Sequence, residues 1–158
     1  MNGLVTSRLD YCNALLYGLP KALTHKLQRV QNTAAHIVTR TSQHSHITPV
    51  LQELHWLPVD LRIKFKILMY TYKGLHEQAP GYICDMLHVY KPARTLRSMD
   101  SLMLVVPKSK YVHYGERHFK YASAKLCNEL SYDIRKCSTL RSFKQALKTY
   151  LFKTVFAV

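Results

Sequence analysis

The sequence predicts a mainly α-helical protein, with one short β hairpin and two helices closing the chain. Three observations carry that prediction. Apolar residues recur at helical spacing through most of the 158 residues. Proline and glycine interrupt the chain where those runs stop. One apolar run, Leu102 to Val106, instead has strand character, and Tyr111 to Tyr114 follow as its natural partner. With 47% hydrophobic and 20% charged residues the composition is globular rather than disordered.

Taken in order, Leu4 to Tyr17 reads as a helix stopped by Gly18-Leu19-Pro20. Its apolar pattern is under way at Leu4 with almost no capping sequence, as expected of a helix that once continued upstream. Lys21 to about Arg40 is the next helix, with Leu23, Leu27, Val30, Ala34 and Ile37 on its expected buried face. Lys26, Arg29, Thr33, His36 and Arg40 share a neighbouring stripe. Thr48-Pro49 is an N-cap followed by proline at the first helical position, so a short helix runs through Leu54 and ends near Trp56-Leu57-Pro58.

Pro58 to about Gln78 fits two patterns. Residues 61–67 alternate like a strand, while Val59, Ile63, Ile67 and Tyr70 fit a helix; length and the leading proline favour the helix. It is then apolar nearly all round, apart from Arg62, Lys66 and Lys73. After Ala79-Pro80-Gly81, Tyr82 to Tyr90 makes one more short helix. Lys91 to Ser101 is a basic linker, and the hairpin turns across Pro107 to Lys110. Arg117 to Leu130 and Ser138 to Phe152 are the closing helices. The chain divides on this reading into a helical domain, residues 1–90, and a basic C-terminal region, residues 91–158.

Charge is the loudest compositional signal. Lys and Arg number 23 against 9 acids, a formal +14 and an isoelectric point near 9.8. Such a field favours polyanionic partners. It is uneven: residues 41–90 carry four basic and four acidic side chains, whereas from Lys91 onward fourteen basic residues face four acidic ones, a net +10.

Other chemistry is not advertised. The nine acids are scattered, with no D-x-D or similar cluster to hold the paired metal ions of a polymerase or nuclease. His44 and His46, with His55 or Cys84, match no common zinc spacing, so neither metal nor cofactor is expected. Walker and nucleophile-elbow signatures do not occur. Cys12, Cys84, Cys127 and Cys137 form no CxxC pair. With no apolar run near ~20 residues and no secretory pattern at Met1, free thiols and a nuclear or cytoplasmic location are expected, without membrane or small-molecule substrate.

Several strings name a family. Ser7-Arg8-Leu9-Asp10-Tyr11-Cys12-Asn13-Ala14-Leu15-Leu16, Gly18-Leu19-Pro20 and Leu27-Gln28-Arg29-Val30-Gln31-Asn32-Thr33-Ala34-Ala35 resemble the region after the palm in non-LTR (LINE-type) retrotransposon reverse transcriptases. Ile47-Thr48-Pro49-Val50-Leu51, Leu54-His55-Trp56-Leu57-Pro58-Val59, Arg62-Ile63, Phe65-Lys66 and Leu96-Arg97-Ser98 continue the likeness. Phe143-Lys144 and Leu147-Lys148-Thr149-Tyr150-Leu151-Phe152 extend it to the end, within the jockey and chicken-repeat group. The resemblance implies a bundle-like polymerase thumb followed by a post-thumb region, with the catalytic Asp-Asp motif upstream and missing by truncation. The chain departs from the family pattern at His36, and at Ala124, Cys127 and Ser131, where Pro, Trp and Pro are usual.

A thumb grips duplex through phosphates, because it must slide without reading sequence. On that expectation Lys26, Arg29, Arg40, Arg62, Lys66 and Lys73 face nucleic acid, and Arg94, Arg97, Lys108, Lys110, Arg141, Lys144 and Lys148 form a second basic surface. Tyr11, Tyr17, Tyr111 and Tyr114 are candidates for stacking on bases. The chain then binds RNA or DNA and is not itself an enzyme. Two alternatives are a host-adopted helical interaction module and a decayed, non-functional copy.

Overall fold

A computed structural model describes residues 2–92 and 102–156. The described chain is mainly helical, about 65% of it, and contains no strand. It divides into two compact units, one built from the residues up to Phe65 together with those from Thr149 on, the other from Lys66–Lys148.

In the first unit α1 spans Asn2–Asp10 and stops there rather than continuing to Tyr17. Cys12 turns left-handed at φ 51°, and Asn13–Leu16 form a single 3-10 turn. The break turns the Asn13 side chain inward, where it is buried and its amide donates to Asp10 at 3.4 Å. Asp10 in turn accepts from Arg62 Nε at 2.9 Å and Nη2 at 2.5 Å. The Asp10–Arg62 ion pair, with the Asn13 amide beside it, sits where the apolar periodicity favoured a continuous helix.

Helix α2, Lys21–Thr39, has the expected limits but buries a different face. Thr24, Gln31, Ala34, Ala35 and His36 are buried, while Leu23, Val30 and Ile37 stand 45–54% exposed. The reason lies in the backbone around Pro58. Gln31 Nε2 donates to the Leu57 carbonyl at 2.9 Å, and the Val59 N–H donates to Gln28 Oε1 at 2.8 Å. Gln28 Nε2 also donates to Gln31 Oε1 at 3.1 Å and Asn32 Oδ1 at 2.8 Å. Buried peptide groups at the start of the next long helix need partners, and the polar stripe of α2 supplies them.

Helix α3, Ile47–Glu53, closes through a left-handed His55, and the Trp56 N–H returns to the Leu51 carbonyl at 2.9 Å. Ala34, Ala35, Val50, Leu51 and Trp56 form a core cluster, with Val5, Ile47, Leu54 and Phe156 packed against it. Helix α4 covers Val59–Leu75, so the alternating stretch 61–67 is helical.

In the second unit Ile67, Leu68, Met69 and Tyr72 of α4 are buried. Tyr72 stacks on Phe143 with centroids 4.4 Å apart, and its hydroxyl donates to the Cys137 carbonyl at 3.0 Å. Helix α5 is one turn, Gly81–Cys84, shorter than the expected 82–90. The expected hairpin between Leu102 to Val106 and Tyr111 to Tyr114 does not form. Leu104 instead makes an isolated antiparallel bridge with Val89, flanked by Tyr90 N–H to Met103 O at 2.7 Å and Val105 N–H to His88 O at 2.8 Å. On its other side the side chain of Asn128 takes the place of a strand. The Leu104 N–H donates to Asn128 Oδ1 at 2.8 Å, and Asn128 Nδ2 donates to the Leu104 carbonyl at 2.9 Å. With Leu104 thus satisfied on both edges, the proposed partner segment is free to wind into a helical turn, α6, Val112–Gly115.

Helix α7, Phe119–Glu129, buries Ala122, Ser123, Ala124, Leu126 and Cys127. Ala124 and Cys127 therefore form part of a packed helical face. Helix α8 is Tyr132–Arg135, and α9, Leu140–Phe156, begins where Thr139 Oγ1 accepts from the Ser142 N–H at 3.1 Å.

Candidate nucleic-acid interface

The segment 107–121 supplies the most chemically distinctive surface of the second unit. Pro107 has no N–H to donate to a ladder, and Lys108, Ser109 and Lys110 lead into Tyr111, from which α6 winds. Ser109 donates its hydroxyl to the Tyr111 carbonyl at 2.9 Å, folding the lysine loop back on itself. The Ser109 side chain lies where a β-carbon on Gly115 would sit. Glycine at 115 is therefore what lets this loop pack onto α6. His118 then caps α7, its Nδ1 accepting from the Lys120 N–H at 3.3 Å.

These contacts shape an open groove of about 450 Å³ whose walls include Lys108, Lys110, Tyr111, Tyr114, Lys120 and Tyr121. Among the described residues no carboxylate lines it. Tyr111 and Tyr114 are 72% and 79% exposed, so their rings face solvent rather than packing inside. The Arg117 guanidinium lies over Tyr114 at 6.0 Å from the ring centroid, and Lys125 Nζ over Tyr121 at 5.7 Å. Cations and aromatic faces thus interleave along one surface, the combination that accepts phosphates and bases together.

The structure joins Lys108 and Lys110 to residues the sequence reading had not singled out, namely His118, Lys120 and Tyr121, with Arg117 beside them over the Tyr114 ring. A signal was present: Tyr111, Tyr114, Arg117 and Lys120 recur every three residues. It was obscured by assigning the first two to a strand.

Elsewhere the expected cations fall into separate settings. Arg141, Lys144 and Lys148 are exposed along α9 at helical spacing. Lys26 and Arg29 are exposed on α2 and edge an open groove with Val5, Val30 and Ile37, while Arg40 is exposed and left-handed at that helix's C-terminus. Arg62 is engaged by Asp10, which gives it a task inside the fold. Lys66, half-buried, lies over the Tyr70 ring at 5.9 Å, and Lys73 is half-buried on α4. Arg94 and Arg97 lie outside the described residues. Of the remaining tyrosine candidates, Tyr11 is exposed and Tyr17 half-buried.

Among the described residues no group of three or more His, Cys, Asp or Glu side chains is placed to hold a metal ion. His55 stacks on Phe152, its ring nitrogen 3.1 Å from the Glu53 carbonyl, and the Cys84 thiol donates to the Ala79 carbonyl at 3.5 Å. Burial pushes the Cys127 thiol up to about 11 despite the opposing field of Arg135. Burial also raises Tyr72, with a smaller contribution from Cys137. No described helix is long and apolar enough to cross a membrane. Comparison with protein families, with characterised proteins and with solved structures finds no match to this chain.

Proposed function

We propose that this chain holds RNA or DNA by its phosphates, without reading sequence and without joining nucleotides. On this reading these residues are the thumb and post-thumb of a LINE-type reverse transcriptase, acting in the nucleus or cytoplasm. The observation that carries the binding half is the 107–121 groove, where three lysines and three tyrosines meet and, among the described residues, no carboxylate is part of the lining, Glu116 of the same segment standing outside it. A surface that serves solubility alone intersperses both signs of charge. The α9 stripe of Arg141, Lys144 and Lys148 and the α2 cations Lys26 and Arg29 extend the same chemistry.

The test is fluorescence anisotropy with three labelled oligonucleotides of unrelated sequence. Phosphate gripping gives matching affinities for all three, and Lys108→Ala with Lys110→Ala weakens them equally. Affinities spread over more than about tenfold among the sequences contradict it, because each base-specific contact is worth ~1–3 kcal/mol.

One observation favours a second reading, a helical interaction module. Leu23, Val30 and Ile37 line one exposed face of α2, and an apolar stripe of that kind is how a helix meets a protein partner. If Val30→Glu abolishes capture of a cellular protein while nucleic-acid affinity is absent from the start, this reading replaces the first.

A further inference from the structure

We infer that the 107–121 groove selects an unpaired nucleic-acid strand over a duplex, with Tyr111 and Tyr114 stacking on exposed bases while the surrounding cations hold the phosphates between them. The inference rests on the phosphate-binding reading above and adds the physical form of the polymer to it.

The argument starts from what phosphates alone require. A duplex presents a regular array of charge, and lysines on a helix face suffice to hold it. Exposed aromatic rings add nothing to that task, because the bases of a duplex already stack on one another and offer only their edges. In an unpaired strand each base has a free π-face, and a ring beside it replaces water with a flat apolar surface. Tyr111 and Tyr114, each exposed by more than 70% among the groove's lysines, offer their rings to bases in this way.

Their setting supports that use. Tyr111 immediately precedes α6 and Tyr114 lies within it, three residues on, so both are set at neighbouring positions of one turn. The turn is held by the Ser109 hydroxyl on the Tyr111 carbonyl, 2.9 Å, and by the close approach of Ser109 to Gly115. Arg117 over the Tyr114 ring makes a guanidinium–aromatic layer onto which a base can be added, with the positive charge beside the phosphate that follows. The groove, at about 450 Å³ and open along one side, leaves the rings of Tyr111 and Tyr114 accessible to a flat base. Lys108, Lys110 and Lys120 line the same space. The result is a short stacking platform inside an electrostatic trough, which matches the demands of single-strand binding without sequence readout.

The test uses the whole 158-residue chain and anisotropy at low salt with three probes of equal length, about twelve nucleotides, within the ~4–16 that such sites cover. The first is a labelled single-stranded DNA, the second is that strand annealed to its complement, and the third is an abasic strand with the same phosphates and no bases. The inference predicts that the single strand binds at least tenfold more tightly than the duplex and the abasic strand. Tyr111→Leu with Tyr114→Leu should abolish that preference and leave the salt dependence unchanged, since no phosphate contact is lost. Tyr111→Phe with Tyr114→Phe should retain the preference, because stacking needs the ring and not the hydroxyl. Equal or tighter duplex binding, or equal affinity for the abasic strand, overturns the inference while the phosphate reading stands. Failure of all three probes to bind overturns both.

Discussion

Replacing Asn128 with alanine tests how the second unit is held together. The Asn128 amide satisfies both peptide groups of Leu104, with bonds of 2.8 and 2.9 Å, and Leu104 is only 3% exposed. Alanine leaves one N–H and one C=O buried without those partners, at ~1–3 kcal/mol for each group. Water entering the vacated space recovers part of that, so the net loss is roughly 2–4 kcal/mol. In urea, with a slope of about 2 kcal/mol per molar, the unfolding midpoint falls by roughly 1–2 M. Asn128→Asp keeps an acceptor for the Leu104 N–H but sets a carboxylate oxygen against the Leu104 carbonyl, and is expected to destabilise at least as much as alanine at neutral pH. The assay is equilibrium urea unfolding followed by circular dichroism. An alanine variant within about 0.5 kcal/mol of wild type, the range of an ordinary surface change, refutes the claim that Asn128 stands in for a strand.

Three further outcomes are expected. Gln31→Leu, which orphans the Leu57 carbonyl at a fully buried position, should lower the melting temperature by roughly 5 °C on a loss of ~1–3 kcal/mol; an unchanged melt contradicts the buried polar face of α2. Leu147→Ala, at a site with no exposure, should cost about 2–5 kcal/mol in urea unfolding because the removed side chain leaves a cavity. For Cys127, a folded value of about 11 lies above the ordinary 9.0. The protonated thiol's contribution is then complete below pH 9 and lost as pH rises through 11, since the unfolded thiol ionises first. Unfolding free energy between those limits should fall by about 2 kcal/mol more in wild type than in Cys127→Ala, and parallel curves contradict the burial of this thiol.

Some helix limits were legible where proline marks them, though α1 ends at Asp10 well before Gly18-Leu19-Pro20 and α3 begins at Ile47, ahead of Thr48-Pro49. Pro20 opens α2, Pro58 precedes α4, and Gly81 follows Pro80 at the start of α5, because proline and glycine act through the local backbone. Which face a helix buries was less legible. The period in α2 is helical on both stripes, and the choice fell to Gln28 and Gln31 because distant peptide groups at Leu57 and Val59 needed partners. No pattern within α2 encodes that demand. The hairpin failed for a related reason: Leu104 found a partner in a side chain 24 residues on, a pairing that alternation cannot reveal. At the candidate site, Lys108, Lys110, Tyr111 and Tyr114 were visible as residue types, but their meeting with Arg117 and Lys120 depends on the turn at α6 and the absent β-carbon of Gly115.

The dependence of affinity on salt tests the central claim most directly. Gripping by Lys108, Lys110 and Lys120 with Arg117 engages three or four phosphates, so log K for a single strand should fall against log salt with a slope of about −2 to −3. Lys110→Ala should make that slope shallower by about 0.7. A flat line, or no binding at low ionic strength, contradicts the account.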